Sequence, residues 1–178
     1  MNSIDKNQKE NNHKDVYGLE AGERIKEMAD SAKTCFFCTV KGLGESGGIR
    51  PMSVLQTEEN GTLWFLSAKD SYKNQEIAEN GEVKLFFQGS PHSDFLYLSG
   101  TATISYDKNK IKEIWTPLAK AWFTQGENDP RITAIKVVPE NGFYWDNKHG
   151  NLVAGAKMMF GALIGETIDD SIQGKIKS

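Results

Sequence analysis

The stretch that decides the fold is LWFLSAKDSYKNQEIAEN, residues 63–80. It begins with an apolar, aromatic segment of the kind that forms β-strands, so we predict a strand over residues 62–67. The polar residues that follow indicate a turn, and a short helix is predicted over residues 72–79. Asp70 or Ser71 is placed to cap the start of that helix with its side chain. The sequence therefore predicts a strand, a turn and a helix in direct succession.

Turn signals divide the rest of the chain into further short strands. Residues 42–48 are rich in glycine and can join two antiparallel strands, and residues 59–61 (Glu-Asn-Gly) are typical of a hairpin turn. Strands are also predicted over residues 34–41, 49–58, 83–88, 95–105, 132–138 and 142–145, and helices over 19–33 and 108–123, with Pro117 opening a second helix in the latter. Six or seven strands with a few helices indicate a mainly β (α+β) fold, an antiparallel barrel with peripheral helices.

Length and charge limit the class of protein. A chain of 178 residues with 38% hydrophobic and 25% charged residues fits one folded domain. The net charge of −3 argues against a nucleic-acid partner. The apolar stretch 152–164 is too short to span a membrane and is predicted to form a packed terminal helix. We therefore expect a cytoplasmic protein that binds neither nucleic acid nor membrane.

The two ends of the chain are predicted to lie outside the central domain. Residues 1–15 are rich in Asn, Lys, Glu and Gln and contain no apolar run, which predicts a flexible tail rather than a signal peptide. The central domain is assigned to residues 16–148. Residues 149–178 are assigned to a C-terminal helix and tail.

Cys35 and Cys38 form a CxxC motif, which invites a redox or zinc interpretation. No second CxxC accompanies it, and the three histidines are scattered along the chain. The surrounding residues are typical of a strand, where side chains three positions apart point to opposite faces. We therefore predict buried, unreactive cysteines and no metal site.

Four polar residues of the segment around the deciding stretch could together hold a phosphate. Arg50 opens a predicted strand, Ser67 ends the next one, and Ser71 and Lys73 stand at the start of the following helix. A helix N-terminus favours an anion, and Arg, Lys and Ser are common phosphate ligands. The same residues have ordinary uses as an N-cap, a solvated lysine and a surface ion pair. Spacing alone leaves both interpretations open.

Five segments match a known family in residue type and order. They are RPMSVLQT (50–57), LWFLSAKDSYKNQEIAEN (63–80), VKLFF (83–87), FLYLSGTATI (95–104) and FYWD (143–146). Together they resemble the pyridoxamine 5'-phosphate oxidase-like superfamily, and most closely its general stress protein branch. The similarity covers about residues 19–146, and its most specific part is the Ser-x-Lys after the aromatic strand. The resemblance implies a split β-barrel that forms a homodimer and holds FMN between the subunits, with FAD as a possible substitute.

The resemblance also assigns residues to the cofactor. Arg50 and Lys73 match phosphate-binding positions of the family, whereas a third, arginine position is Tyr72 here, which removes one positive charge. Ser67 matches a hydroxyl residue of the cofactor site. The remaining expected cofactor-binding residues are Met52, Ser53 and Val54 along the isoalloxazine edge, Leu66 beside it, and Ser71, Trp122 and Trp145.

The tryptophans carry separate expectations. Trp145 matches a family tryptophan that the partner subunit places near the flavin. Trp115 and Trp122 would share one helix face if the helix continued past Pro117, and core or dimer packing is the ordinary role for both. Trp122, followed by Phe123, is the better candidate to cover a bound flavin.

The reaction is less defined than the cofactor. True pyridoxamine 5'-phosphate oxidases carry a C-terminal arginine signature, and this chain has no arginine after Arg131. We therefore do not expect that oxidase activity, and no catalytic residue is assigned. Three functions stay open: a flavin-dependent oxidoreductase, a non-enzymatic flavin-binding or sensing protein, and a haem-binding relative. The surplus of aromatic residues on the predicted strands favours a homodimer.

Overall fold

A computed structural model describes residues 12–40, 48–91, 93–147 and 170–178 of the chain. Its strands are β1 (Val16–Tyr17), β2 (Thr34–Thr39), β3 (Ile49–Ser53), β4 (Gln56–Thr57), β5 (Leu63–Ala68), β6 (Glu82–Gln88), β7 (Phe95–Ser105), β8 (Ile132–Asn147) and β9 (Ser171–Lys177). Its helices are α1 (Gly18–Ala32), α2 (Tyr72–Glu79) and α3 (Lys108–Glu113), with 3₁₀ helices at Pro117–Ala121 and Gly126–Asn128.

The strands form one sheet that bends into an incompletely closed barrel. The strand order is β1-β9-β8-β7-β6-β2-β3, and β5 joins it by pairing with β8 and with β4. Every pairing is antiparallel except the parallel pair of β1 with β9. This arrangement confirms the predicted mainly β barrel with peripheral helices.

The barrel opens between β3 and β5. Strand β3 pairs only with β2, and β4 pairs with β5 only at Trp64 and Leu63, so the stretch Leu66–Ala68 has β8 on one edge and no strand on the other among the described residues. The chain leaves β3 at Val54, whose amide donates to the carbonyl of Lys33 at 2.9 Å. The strand predicted over 49–58 is therefore two strands with a bend between them.

The interior of the barrel is one apolar core. Phe37 of β2 and Phe65 of β5 are fully buried and meet edge to face, with ring centroids 5.4 Å apart. Helix α1, predicted over 19–33, closes the core by burying Ile25, Met28 and Ala29, which recur at helical spacing. A smaller cluster lies under α3 and the 3₁₀ helices and includes Trp64 and Phe123.

Two other predicted elements differ from those observed. The strands predicted at 132–138 and 142–145 are parts of one continuous strand, β8, because Pro139, Glu140 and Asn141 remain in the sheet. Less of the stretch 108–123 is helical than predicted: the α-helix ends at Glu113, and the second helix opens at Pro117 as expected but is a short 3₁₀ helix. Trp115 and Trp122 therefore do not lie on one continuous helix.

Both described ends of the chain lie on the sheet. The amide of Lys14 donates to the carbonyl of Gln173 at 2.9 Å, and residues 171–177, predicted as part of a C-terminal helix and tail, form β9. Their backbone groups pair with those of β8, and the sequence pattern did not predict this strand. Residues 1–11 and the predicted helix over 152–164 lie outside the described residues, and the domain boundaries stay predictions.

The two cysteines are buried and carry free thiols. Burial raises the pKa of the Cys35 thiol strongly and raises the pKa of Cys38 as well, so neither is a ready thiolate. Within the described part of the chain, His, Cys, Asp and Glu side chains nowhere assemble into a group that could hold a metal ion.

The Phe37–Phe65 contact generates a stability prediction. Phe37→Ala should lower the free energy of unfolding by about 3–5 kcal/mol, because it removes a buried ring and leaves a cavity that the surrounding core fills only in part. Tyr106→Ala is the matched control, since Tyr106 is 65% exposed. Urea denaturation of the two variants measures the difference, and equal losses would contradict the assigned core.

Candidate functional site

The open edge of the barrel brings two predicted groups of residues to one region. Arg50, Met52 and Ser53 belong to β3, and Leu66 and Ser67 to the end of β5. Edge strands tolerate proline, which agrees with a Pro in the middle of β3. Unpaired strand edges present backbone amides and carbonyls that a flat, polar-rimmed ligand can use.

The start of α2 is fixed by a network of hydroxyl and amide groups. Ser71 is the N-cap and accepts from the amide of Asn74 at 3.3 Å, as the sequence predicted. The hydroxyls of Ser67 and Ser71 hydrogen-bond each other at 3.2 Å. The Asn74 side-chain amide donates to the Thr133 hydroxyl at 2.9 Å, which in turn donates to the Ser67 carbonyl at 2.9 Å. The end of β5 and the helix start therefore form one rigid unit.

Arg50 reaches this unit from β3. Its guanidinium donates to Oε2 of Glu76 at 2.9 Å, and the Thr39 hydroxyl donates to the same oxygen at 2.7 Å. The register places Arg50 opposite the buried Phe37, so its side chain leaves β3 on the core side of the strand. Arg50 thus lies against α2 rather than projecting freely into solvent.

Lys73, in the first turn of α2, completes the group. Burial and the nearby Arg50 guanidinium lower the pKa of Lys73 to about 8, and Glu76 offsets this only in part. Two cations held near one carboxylate leave a net positive charge in a partly desolvated place. The structure therefore brings together Arg50, Ser67, Ser71 and Lys73, the four residues of the predicted phosphate cradle.

The two predicted flavin-contacting tryptophans belong to different elements: Trp122 follows the 3₁₀ helix that begins at Pro117, and Trp145 lies on β8. Trp122 is 71% exposed, and its carbonyl accepts from Nη2 of Arg131 at 3.3 Å. Its neighbour Phe123 is buried in the smaller core cluster and is not available to cover a ligand. Trp145 is half exposed on the second half of β8, where it pairs with Phe95 of β7.

A second feature, which sequence reasoning missed as a site, is a hollow of about 850 Å³ on the outer face of the sheet. Phe36 pairs with Phe86, and Phe86 pairs with Tyr97, across β2, β6 and β7. The rings of Phe86 and Tyr97 lie 5.2 Å apart. Alternating aromatic residues on neighbouring strands were the available signal, but their register could not be read from the sequence.

The wall of the hollow contains a carboxyl group in an unusual setting. Asp146 accepts from Nη1 of Arg24 at 2.9 Å and from the amide of Asn147 at 2.7 Å. Burial, together with a hydrogen bond to the Asp94 carboxyl, raises the pKa of Asp146 to about 6. A hydrogen bond between two carboxyl groups requires a proton on one of them, so the pair holds a proton in mildly acidic solution.

Comparison with known proteins identifies the family. A sequence model of the family described as pyridoxamine 5'-phosphate oxidase like matches residues 20–169. The chain belongs to the pyridoxamine 5'-phosphate oxidase-like family. The protein bli-3 of Neurospora crassa is 30% identical over 97 residues, which are 49% of this chain and 46% of that protein. The chain thus spans about half the length of this curated relative.

Solved structures share the fold of this family member. A candidate general stress protein 26 from Jannaschia sp. CCS1 superposes with a TM-score of 0.70 at 22% sequence identity. The match covers 87% of this chain and 96% of the Jannaschia chain. The general stress FMN/FAD binding protein of Xanthomonas citri superposes with a TM-score of 0.56 at 22% identity, covering 70% and 84%. The family resemblance and the split barrel predicted from the sequence are therefore confirmed. Among the helices that the structure describes, none is long and apolar enough to cross a membrane.

The desolvated lysine generates a second prediction. Lys73→Met should raise the free energy of unfolding by about 1–2 kcal/mol near neutral pH in buffer free of multivalent anions, because it removes a charge that folding desolvates beside Arg50. The pKa of Lys73 is lower in the folded than in the unfolded chain. The charged lysine therefore destabilises the folded state by its full amount below a pH of about 8. This destabilisation declines as the pH rises from there toward the pKa of an unfolded lysine, and the advantage of the variant should decline with it.

Lys69→Met is the control for this measurement, since Lys69 lies in the adjoining turn and is exposed. It should leave the unfolding free energy nearly unchanged. Chemical denaturation at two pH values measures both variants, and a loss of stability in Lys73→Met would contradict a strained cationic site.

Proposed function

We propose that this protein is an FMN-binding flavoprotein of the general stress type, working as a homodimer with the flavin between its subunits. The observation that carries the proposal is that two cations lie close together beside the open edge of the barrel. Glu76 of α2 holds the Arg50 guanidinium, whose charge lowers the pKa of the partly desolvated Lys73 in the first turn of the same helix. Like charges are kept together at a cost in stability where they serve a ligand of opposite charge.

The chemistry of a flavin phosphate fits these residues. A phosphate monoester carries close to two negative charges at neutral pH and offers several acceptor oxygens, which Arg50 and Lys73 would neutralise. The hydroxyls of Ser67 and Ser71 lie 3.2 Å apart at the same helix start and can donate to such oxygens. A bound dianion would also stabilise the charged form of Lys73 and raise its pKa.

The flavin ring would then follow the split between β3 and β5. Backbone groups of Met52, Ser53 and Val54 lie along one side, and Leu66 lies on the other. Bound there, the flavin would supply electron and hydride transfer, while the chain would orient it and tune its potential through hydrogen bonds to the ring. One phosphate cradle favours FMN, and FAD is the alternative that titration with both cofactors distinguishes.

A second subunit would complete the site. Phe36, Phe86 and Trp145 expose 58%, 44% and 45% of their surface on the outer face of the sheet, an aromatic area that a twofold partner can cover. Trp145 matches a family tryptophan that the partner subunit supplies, so the flavin proposed beside it is that of the partner. Trp122, 71% exposed, is the second side chain proposed to cover the ring.

The activity proposed for this site is flavin-dependent oxidation and reduction, in the cytoplasm. Neither nucleic acid nor membrane is proposed as a partner. Oxidation of pyridoxamine 5'-phosphate is not proposed, because the chain has no arginine after Arg131 to hold the substrate phosphate. A non-enzymatic flavin-binding role is the second candidate, favoured by the absence of an assigned catalytic side chain at the described site. Haem binding is not proposed: among the described residues the one histidine is His13, whose Nε2 lies 2.9 Å from Oδ1 of Asp15.

The phosphate cradle predicts how variants bind FMN. Arg50→Ala and Lys73→Ala should each weaken FMN by about tenfold or more, because each removes a charge-assisted contact worth about 1.5–3 kcal/mol. Riboflavin, which lacks the phosphate, should bind all forms alike. Quenching of flavin fluorescence measures these affinities, with Lys69→Ala as the control for a nearby exposed lysine.

The pH dependence tests the same assignment. FMN affinity should fall as the pH rises above about 8, where Lys73 of the free protein loses its proton, and the fall should be absent in Lys73→Ala. Equal losses of affinity for FMN and for riboflavin in Arg50→Ala and Lys73→Ala would reject the phosphate cradle. FMN bound stoichiometrically by a monomer in sedimentation velocity would reject the shared site.

The oxidoreductase proposal has its own measurement. Rapid mixing of the FMN-loaded protein with reduced nicotinamide cofactor under anaerobic conditions should bleach the flavin absorbance, because hydride transfer reduces the ring. The Arg50→Ala, Lys73→Ala double variant is the control for reduction of free flavin. If the flavin stays oxidised with nicotinamide donors, the binding or sensing role is the better description.

A further inference from the structure

The amine of Lys73 lies among groups that attract a phosphate. Glu76 follows Lys73 by three positions on α2, so the two side chains lie on one face of the helix. The Arg50 guanidinium donates to Oε2 of Glu76 at 2.9 Å, which brings a second cation to that face. The lysine amine is therefore held beside an arginine, a group that keeps its positive charge at every ordinary pH.

The hydroxyl groups of the phosphate cradle are fixed in place by the protein itself. The Ser67 and Ser71 oxygens lie 3.2 Å apart, and the Ser71 oxygen accepts from the amide of Asn74 at 3.3 Å. The Asn74 side chain in turn donates to the sheet, which ties the helix start to β8. A phosphate that binds Arg50 and these hydroxyls thus meets a frame that has little ordering left to do. The rest of such a molecule would lie at the helix start, beside Lys73.

The amine of Lys73 is partly neutral at ordinary pH. Burial and the Arg50 guanidinium lower its pKa to about 8. At a pH of about 7.5, about a quarter of such amines are neutral, against about one in a thousand for a lysine of pKa about 10.4. Burial and a neighbouring cation are the two means by which proteins make a lysine nucleophilic. The side chain is only partly buried, so a small reagent can reach it.

Flavin binding makes no use of the neutral amine. A site for a phosphate needs the charged form of the lysine, and a lysine of ordinary pKa would supply it more completely near neutral pH. A neutral amine beside a phosphate-binding arginine is suited to a different task. It can attack a carbonyl group whose leaving group is a phosphate, because the cradle then binds the leaving group and positions the reacting carbon.

We propose that Lys73 is a site of acylation by acyl phosphates, and that its acylation regulates the loading of flavin. The phosphate of the donor binds Arg50 and the serine hydroxyls, and its acyl carbon lies beside Nζ of Lys73. The inference rests on the proposed flavin function in that both ligands use the same cradle. It adds covalent chemistry to that site and names the class of reagent that modifies it.

The reaction is an acyl transfer that needs no further reagent. Nζ of the neutral Lys73 forms a bond to the acyl carbon, and the bond from that carbon to the bridging phosphate oxygen breaks. This oxygen leaves with the electron pair, and the phosphate takes up the proton that Nζ releases. The products are an acylated lysine and hydrogen phosphate. Arg50 stabilises the negative charge that collects on the departing phosphate.

Acylation changes the charge of the cradle. The amide is neutral, so Arg50 is left as the only cation among the four cradle residues. FMN should therefore bind the acylated protein about tenfold or more weakly, because a charge-assisted contact to its phosphate is lost. The coupling is reciprocal, since bound FMN covers Lys73 and keeps it protonated. Acylation should thus modify the flavin-free protein and spare the loaded one.

Acetyl phosphate and p-nitrophenyl acetate are the probes, because both transfer an acetyl group and only acetyl phosphate carries a phosphate. The flavin-free full chain is treated with each at a pH of about 7.5. Peptide mass spectrometry then gives the acetylation rates of Lys73 and of the exposed Lys69 in the same molecules. The ratio of the two rates with p-nitrophenyl acetate measures the reactivity of the amines alone. The ratio with acetyl phosphate should be at least about tenfold larger, because the cradle binds the donor.

The pH dependence identifies the reacting group. At low acetyl phosphate concentration the rate at Lys73 should rise with pH and level off above about 8, because it follows the neutral fraction of the amine in the free protein. An ordinary lysine continues to gain neutral amine up to a pH of about 10. A rate at Lys73 that keeps rising to that pH would contradict the assignment.

A variant and a competitor assign the preference to the cradle. Arg50→Gln should abolish the additional preference for acetyl phosphate, because it removes the phosphate partner. Lys69→Gln, which removes a nearby exposed cation, should leave the rate at Lys73 unchanged. Inorganic phosphate should slow the reaction of acetyl phosphate with Lys73 and not with Lys69. This competition in the unmodified protein keeps the test decisive if Arg50→Gln fails to fold.

Three results would overturn the inference: the same ratio of rates with the two reagents, no competition by inorganic phosphate, or an FMN affinity that acetylation of Lys73 leaves unchanged. The first two measurements contain no flavin, so they decide the acylation even if FMN does not bind. If FMN binds and depends on Arg50 and Lys73 while the two ratios are equal, the acylation fails and the flavin site stands.

Discussion

Strand β8 is the constraint on which the rest of the structure depends. Its first half pairs with β5 on one edge and β7 on the other, and its second half pairs with β7 and β9. The pairing with β7 shifts register between Ser99 and Gly100, where a Cβ on Gly100 would lie 2.2 Å from the Val138 carbonyl oxygen. Only glycine allows that approach, and the bulge increases the local twist that lets one strand serve both the barrel and the outer sheet.

Because β8 holds β5 from one side only, the other edge of β5 is left facing β3 across the opening. The proposed cofactor site is this gap together with the helix start that follows β5. Hydrogen bonds from Asn74 to Thr133 and from Thr133 to Ser67 tie α2, β8 and β5 into one unit. The cations are therefore presented on a rigid frame, and the lowered pKa of Lys73 shows that this arrangement costs stability in the absence of an anion.

Strand β2 separates two regions of opposite electrostatic character. Arg50 lies opposite Phe37 on its core side, whereas Pro51 lies opposite Phe36 on its outer side. The core side leads to the cationic cradle at α2, and the outer side leads to the aromatic hollow with Asp146. One-residue alternation along a strand thus separates the proposed phosphate cradle from the aromatic outer face of the sheet.

Much of the local structure was determined by the sequence alone. The aromatic strand, the Ser71 cap and helix α2 have local causes, namely side-chain size, an N-cap hydroxyl and the turn before it. The family segments also identified the barrel, and together with residue spacing they named the four residues of the proposed cradle. Local patterns did not predict the bend at Val54, the unbroken course of β8, or the pairing of residues 171–177 with it. Each of these depends on a hydrogen-bond partner that is distant in the sequence.

The same distinction explains the two sites. Arg50 and Lys73 could be named from spacing and resemblance, but only the tertiary structure showed that Glu76 holds the arginine and that burial lowers the pKa of the lysine. The hollow could not be predicted, because it requires the register that aligns Phe36, Phe86 and Tyr97 across three strands. It also requires the approach of Asp94 and Arg24 to Asp146 across long sequence separations. The sequence by itself determined which local elements form, and it supplied the residues from which a phosphate cradle is proposed. Charge burial and strand register decided what surrounds them, because both are properties of contacts between distant segments.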